Sequence, residues 1–295
     1  YAGSRVYGRM APRTSDFAMF ERGMDYKFRW WLYNQQWEPW YGMFNYGDGK
    51  NYYFRNQWYE YSNNEPAEDY MWGTQFMRTG ERDYYLVGEA MSRHTMDVDN
   101  THWPADAEYR GDTNAALDWW TVKEAPAGSP YVGMGRRHGD QQWTSMLSAH
   151  VWVPGWIASY YLSGYHRGLE VAKTTADYYR QRIFAEHGLR GRRLYLSVWN
   201  LAQVYDATKD PEIRKELDDR VDHMLQLQRE QGGNLIIDRY GYSQVYVARG
   251  LDKYFQLTGD PAVRKGLIRH ARWVRDNPPL NHEMESYLSS ISTLL

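Results

Sequence analysis

The stretch Asp210-Pro211-Glu212-Ile213-Arg214-Lys215-Glu216-Leu217 is answered 50 residues later by Asp260-Pro261-Ala262-Val263-Arg264-Lys265-Gly266-Leu267. An Asp at the N-cap accepts from an orphan backbone N–H, and a Pro at the next position gives up a donor that has no intrahelical partner. Each Asp-Pro therefore reads as a helix start. Downstream, Ile213, Leu217, Val221, Met224 and Leu225 keep a 3.6-residue period, as do Val263, Leu267, Ala271 and Val274. Upstream, Val198, Leu201, Ala202 and Tyr205 share one helical face, and Val247, Leu251, Tyr254 and Phe255 share another. The unit is thus predicted to be a helical hairpin with a tight turn.

A degraded form of the turn recurs at Thr79-Gly80-Glu81-Arg82 and at Ser163-Gly164-Tyr165-His166, 84 residues apart, or two units of 42. Between them, residues 97–139 are rich in Gly, Pro, Asp and Asn and break the repeat. A connection that long inside a compact domain is usually functional. Hairpins of this length stack as a solenoid or close into a ring. Residues 153–162 are apolar nearly all round, as a helix of an inner ring must be. The expectation is an all-α chain, an α/α-toroid in the form of an incomplete (α/α)6 barrel. Residues 1–295 are read as one such domain, cut from a longer protein.

The bulk composition removes several functions. A net charge of -2 and the lack of a long basic run argue against nucleic acid held by phosphate contacts. No stretch reaches the roughly 18 apolar residues of a membrane span. With no cysteine there are no disulfides, thiolate metal sites or cysteine nucleophiles. Tyr 27 and Trp 14 far exceed Phe 8, and rings with a polar edge suit half-wet surfaces such as a sugar face. Arg exceeds Lys by 27 to 8, and its planar fork suits carboxylates, although a biased genome gives the same ratio. Twelve of the 14 Trp lie at or before Trp156, so the chemistry is expected in the N-terminal half.

Three segments there could carry it. The first is Asn45-Tyr46-Gly47-Asp48-Gly49-Lys50 with Asn63-Asn64-Glu65, ringed by Trp37, Trp40, Tyr41 and Trp58, either a sugar-binding loop or a plain polar turn. The second runs from His94 through Asp97 and Asp99 to His102 and Trp103. Its imidazoles and carboxylates are suitable ligands, so a divalent metal near Asp97 and Asp99 is conceivable, although no cofactor is required. The third is Arg136-Arg137-His138-Gly139-Asp140 with Trp143, followed by His150 and Trp152, a loop-to-helix junction where an anion can meet side chains and helix amides.

Asn45-Tyr46-Gly47-Asp48, the His94…Asp97-Val98-Asp99…His102 helix end, His138-Gly139, and His150…Trp152 ahead of Tyr160-Tyr161-Leu162-Ser163-Gly164 together resemble the toroid domain of exo-rhamnogalacturonan lyase-like proteins. Related helical barrels occur in ulvan, alginate and heparin lyases. The resemblance covers residues 43–168, with the remainder matching only through its hairpin repeat. Family members usually carry β-rich domains before the toroid, so this chain is expected to be a fragment without them.

The resemblance implies β-elimination at a uronic acid of an acidic polysaccharide, outside the cytoplasm in the extracellular or periplasmic space. Arg137 and His138, or Asn63 and Asn64, suit neutralisation of the carboxylate. His94, His102, His150 and Tyr46 are the candidates for base and acid. Asn45, Asp48, Trp103, Trp143 and Trp152 are expected to bind substrate. The four histidines 94, 102, 138 and 150 are expected to line one cavity. Two readings stand beside this one. A glycoside hydrolase would draw a carboxylate pair from Asp48, Glu65, Asp99 and Asp140, and a glycan-binding or structural toroid would catalyse nothing. The oligomeric state is not legible.

Overall fold

Four turns make the hairpins, and all four use the same chemistry. The computed structural model describes residues 7–8, 10–37, 48–53, 58–64, 67–102, 132–136, 146–147, 150–180, 189–236 and 243–277. In each turn a hydroxyl residue closes the first helix. Its oxygen donates to the carbonyl four residues back and accepts from the N–H two residues ahead. The two distances are 2.9 and 3.1 Å at Thr79, 2.7 and 3.2 Å at Ser163, 2.8 and 3.2 Å at Thr208, and 2.9 and 3.1 Å at Thr258. The next residue is left-handed in every case: Gly80 at φ 77°, Gly164 at 72°, Lys209 at 56° and Gly259 at 67°. Three glycines meet that requirement without a Cβ penalty, and Lys209 adopts it with one.

The helices among the described residues follow from these turns. They are α1 (Ala18–Trp37), α2 (Glu68–Thr79), α3 (Arg82–Asp97), α4 (Pro154–Ser163), α5 (His166–Arg180), α6 (Gly191–Thr208), α7 (Pro211–Glu230), α8 (Ser243–Thr258) and α9 (Pro261–Asp276). Each hairpin turn lies where its sequence placed it. Asp210 and Asp260 cap α7 and α9 through their carboxylates, accepting from Glu212 N at 2.9 Å and Ala262 N at 2.7 Å. The fold class is therefore all-α, built of helical hairpins.

Two small antiparallel hairpins interrupt the helices and were not foreseen. Strand β1 (Asp48–Tyr53) pairs with β2 (Trp58–Asn63) in a register that sets Asp48 opposite Asn63. Strand β3 (Gly135–Arg136) pairs with β4 (Met146–Leu147). β1 carries Gly49 and Asn51, residue types depleted in strands, and stands by pairing with β2, whose Trp58, Tyr59 and Tyr61 favour extended backbone.

The chain divides into two compact units, residues 1–174 and 175–295. In the first, α2 packs on α3, and α4 packs on both. Its core is aromatic. Phe28 from α1 meets the Trp72 ring edge-on at 5.1 Å and the Tyr84 ring at 4.3 Å, with Trp31, Val87 and Met91 closing the cluster. Much of the tryptophan excess is thus core, since Trp31, Trp72, Trp152 and Trp156 are all buried. Offset and edge-on contacts between such rings add to the area they bury.

In the second unit α6 packs along α8, α7 against α6, and α9 against α8. Leu194, Val198, Leu201, Val247 and Leu251 are buried between them. A buried histidine contributes to the pH response of this unit. The Leu235 N–H donates to His270 Nδ1 at 3.2 Å, so the ring proton sits on Nε2, 2.5 Å from Gln244 Oε1. Burial lowers the His270 pKa to about 4, from 6.5 in the unfolded chain. Between those values the unfolded state binds more protons, so stability falls as the pH falls. The contribution is intact above pH 6.5, and about 3 kcal/mol of it is lost near pH 4. Equilibrium unfolding at pH 7 and pH 4.5 should show this loss, and His270→Gln should flatten it.

Candidate functional site

The end of α3 is where chemistry-bearing side chains collect. The helix stops as Val98 N donates to His94 O at 2.7 Å. The chain then enters a short ladder. Asn100 bridges Gly135, Thr101 N donates to Met134 O at 2.9 Å, and Gly133 N donates to Thr101 O at 2.8 Å. The Asn100 amide adds a bond to Gly133 O at 3.2 Å. These bonds join the chain on either side of residues 103–131. Under the ladder, His94 is fully buried with Nε2 3.2 Å from the buried Asp99 Oδ2. The two groups lie on either side of the turn that ends the helix.

His102 is half-buried at the same place, its Nε2 2.5 Å from Met96 O. A carbonyl oxygen only accepts, so Nε2 carries the proton and the neutral ring keeps its lone pair on Nδ1. Burial pushes the His102 pKa below its ordinary 6.5, and the Arg167 charge pushes it further, against the pull of the Met96 carbonyl and Asp97. At neutral pH the ring is therefore an unprotonated base of fixed tautomer. Arg167, at the start of α5, donates from Nε to Asp97 Oδ1 at 2.9 Å. Both side chains are partly exposed.

Behind this surface lies a carboxylate that sequence reasoning missed. Asp69, in the first turn of α2, is buried where α2, α3 and α4 meet. It accepts from Ser92 Oγ at 2.9 Å and from Tyr70 N at 2.7 Å. A Cβ built on Gly155 would lie 1.9 Å from Asp69 Oδ2, so the carboxylate occupies the space of a side chain in the first turn of α4. That helix has no side-chain cap of its own. The Asp69 charge complements its positive end. Burial nevertheless raises the Asp69 pKa to about 6, against the donors around it. Trp156, one residue further on, donates from Nε1 to Thr95 Oγ1 at 2.7 Å, tying α4 to α3.

The structure brings His94, Asp99, His102 and Asp97 to one helix end. His150 is buried ahead of α4, its ring edge-on to Trp152 at 5.6 Å. Trp152 is 2% exposed, so its indole packs within the core and offers no platform to a sugar. Asn64 is also buried, with Oδ1 accepting from Asp69 N at 3.0 Å and a φ of 53°; it serves the start of α2. Asp48 and Asn63 face each other across the β1–β2 ladder. Asn45, Tyr46, Glu65, Trp103, Arg137, His138, Asp140 and Trp143 lie outside the described residues.

Asp97, one of the two carboxylates considered for a metal, pairs with Arg167, and Asp99, the other, lies 3.2 Å from His94. Among the described residues no group of three His, Asp or Glu could hold a metal ion. Arg167 gave no signal in sequence, because a cation two residues into a helix reads as a solvated side chain. Asp69 gave only the signal of an ordinary acidic helix start.

Two comparisons bear on this geometry. Residues 4–111 match the family model described as the PcRGLX-like protein C-terminal alpha/alpha toroid domain. That span contains α1 to α3, the β1–β2 hairpin and the His94–His102 helix end. The chain is also similar to a protein of Bacillus subtilis (strain 168) named uncharacterized protein YetA, 31% identical over 99 residues. The matched stretch is 31% of this chain and 11% of that relative's length.

Proposed function

We propose that this chain is the toroid part of a polysaccharide lyase acting by β-elimination on a uronic-acid-containing polysaccharide. One observation carries the reading: His102 combines a fixed tautomer, a lowered pKa and a neighbouring cation, beside the segment that breaks the helical repeat. The match of residues 4–111 to a toroid domain supports it.

In β-elimination a base removes the C5 proton. The electron pair left at C5, spread into the carboxylate, forms the C4–C5 double bond as the C4–O bond breaks. The leaving oxygen takes that bond's electrons and a proton. Neutral His102 takes the C5 proton at Nδ1 while Met96 O fixes the opposite edge of the ring. Arg167 faces the substrate carboxylate, lowering the cost of the charge that builds up next to C5. It also disfavours a lasting imidazolium, so the proton is returned after turnover. Arg137 and His138 would share the neutralisation, and Tyr46 or His150 would protonate the leaving oxygen. Polymers of this kind are too large to cross a membrane unaided, so the proposed activity belongs to the extracellular or periplasmic space.

The test follows from the product. Elimination leaves a conjugated C4–C5 double bond that absorbs in the ultraviolet, whereas hydrolysis leaves none. The protein should be offered rhamnogalacturonan, ulvan, alginate and a neutral glucan in parallel. Absorbing product is expected from one acidic polymer and none from the glucan. Reducing ends without absorbance would replace the lyase by a hydrolase, and affinity without any product would leave a binding module.

A further inference from the structure

Helix α1 has two faces, and the outward one is unusual. Its inward stripe holds Phe28 and Trp31 in the core. Both of the helix's acids also turn away from the outward stripe. Glu21 pairs with Arg78, whose Nη1 is 3.3 Å from Oε2, and Asp25 accepts from Tyr84 Oη at 3.1 Å. The outward stripe carries Met19 at 81% exposure, Tyr26 at 73%, Trp30 at 37% and Tyr33 at 56%, interleaved with the exposed Arg22 and Arg29. Arg22, Tyr26, Arg29 and Tyr33 follow one another at helical spacings of four, three and four residues. They alternate cation and ring along roughly 16 Å of helix. A Cβ on Gly23, between Met19 and Tyr26, would meet no described atom within 4 Å.

A solvated helix face normally carries charge of both signs and few rings. This one carries rings and cations without an acid, which the geometry points to as a docking surface for an anionic polysaccharide chain. The C–H faces of successive sugars lie on Tyr26, Trp30 and Tyr33, and their carboxylates pair with the guanidinium forks of Arg22 and Arg29. Single-stranded nucleic acid would also use rings and arginines, but the chain as a whole carries a net charge of -2 and no basic run to hold phosphates. The surface shares no residue with the His102 end of α3. It rests on the proposed function only for the class of polymer.

Electrophoresis of the 295-residue protein through gels containing polygalacturonate, a neutral glucan or poly(U) tests it. Polygalacturonate should retard the wild type, the retardation should fade with salt, and the neutral glucan should do little. R22Q/R29Q and Y26A/Y33A should each weaken the retardation roughly tenfold or more. Arg22, Tyr26 and Arg29 are exposed, so R22Q/R29Q and Y26A by itself should unfold at the wild-type temperature. Wild-type retardation in either variant, no retardation of the wild type, or stronger retardation by poly(U) would overturn the inference. So would a dimer in light scattering that the same substitutions dissolve. Product formation from a short acidic oligosaccharide, measured in parallel, reads the lyase separately. Absorbing product from wild type and variants alike upholds the lyase whatever the gels show, and retardation without product upholds the surface alone.

Discussion

His102→Gln is expected to slow formation of absorbing product by about 10²–10⁴-fold, the usual worth of a positioned general base. Glutamine is chosen because its amide can still donate to Met96 O, as the ring Nε2 does at 2.5 Å. It keeps the local hydrogen bond and removes only the Nδ1 lone pair. The loss should therefore fall on kcat, with KM and the unfolding temperature nearly unchanged. Substitution of Arg167 should behave differently, raising KM as well, because it removes a charge that meets substrate before and during the reaction. A His102→Gln protein that folds normally and turns over at the wild-type rate would remove His102 from the chemistry.

Gly155→Ala is expected to cost about 1–3 kcal/mol of stability, the cheaper of the two ways of relieving its clash. The new Cβ would stand 1.9 Å from Asp69 Oδ2 and 2.1 Å from Asp69 Cγ. The carboxylate has nowhere to retreat, since Asp69 is buried and held by Ser92 Oγ and Tyr70 N. Either those two charge-assisted bonds break, at about 1.5–3 kcal/mol each, or α4 moves off α2 and loses packing worth about 1–3 kcal/mol. Thermal or denaturant unfolding measures the loss. Pairing the change with Asp69→Ser should recover part of it, because the clash goes with the carboxylate, and a coupling of 1 kcal/mol or more is expected. Additive losses would mean that the two residues do not compete for the same space.

The hairpin positions were legible because turn chemistry is local. Asp-Pro at 210–211 and 260–261 needs no tertiary partner to define a helix start. The hydroxyl half of the same turns, at Thr79, Ser163, Thr208 and Thr258, is equally local and was overlooked. Its signal, a hydroxyl residue directly before the left-handed position, was present in all four copies. The strand pairs were not legible, because β1 exists only through its partner and its Gly49 and Asn51 point the other way, although Trp58, Tyr59 and Tyr61 of β2 favour a strand. Tryptophan misled for a related reason. A ring that suits a sugar face also suits a core, and only burial separates Trp152 from Trp30. At the site, His94 and His102 were identifiable from their crowding at a helix end. The separation of their roles depends on Met96 O and Asp99, which a list of residues cannot position.

The most direct measurement is the pH dependence of kcat/KM for absorbing product on the best acidic polymer. A histidine pushed down by burial and by Arg167 gives an acid limb below pH 6.5, because kcat/KM falls only when the free enzyme's base becomes protonated. The account predicts such a limb in the wild type and its disappearance, along with most of the rate, in His102→Gln. An acid limb at or above pH 6.5 that survives the substitution, or no absorbing product at any pH, would contradict it.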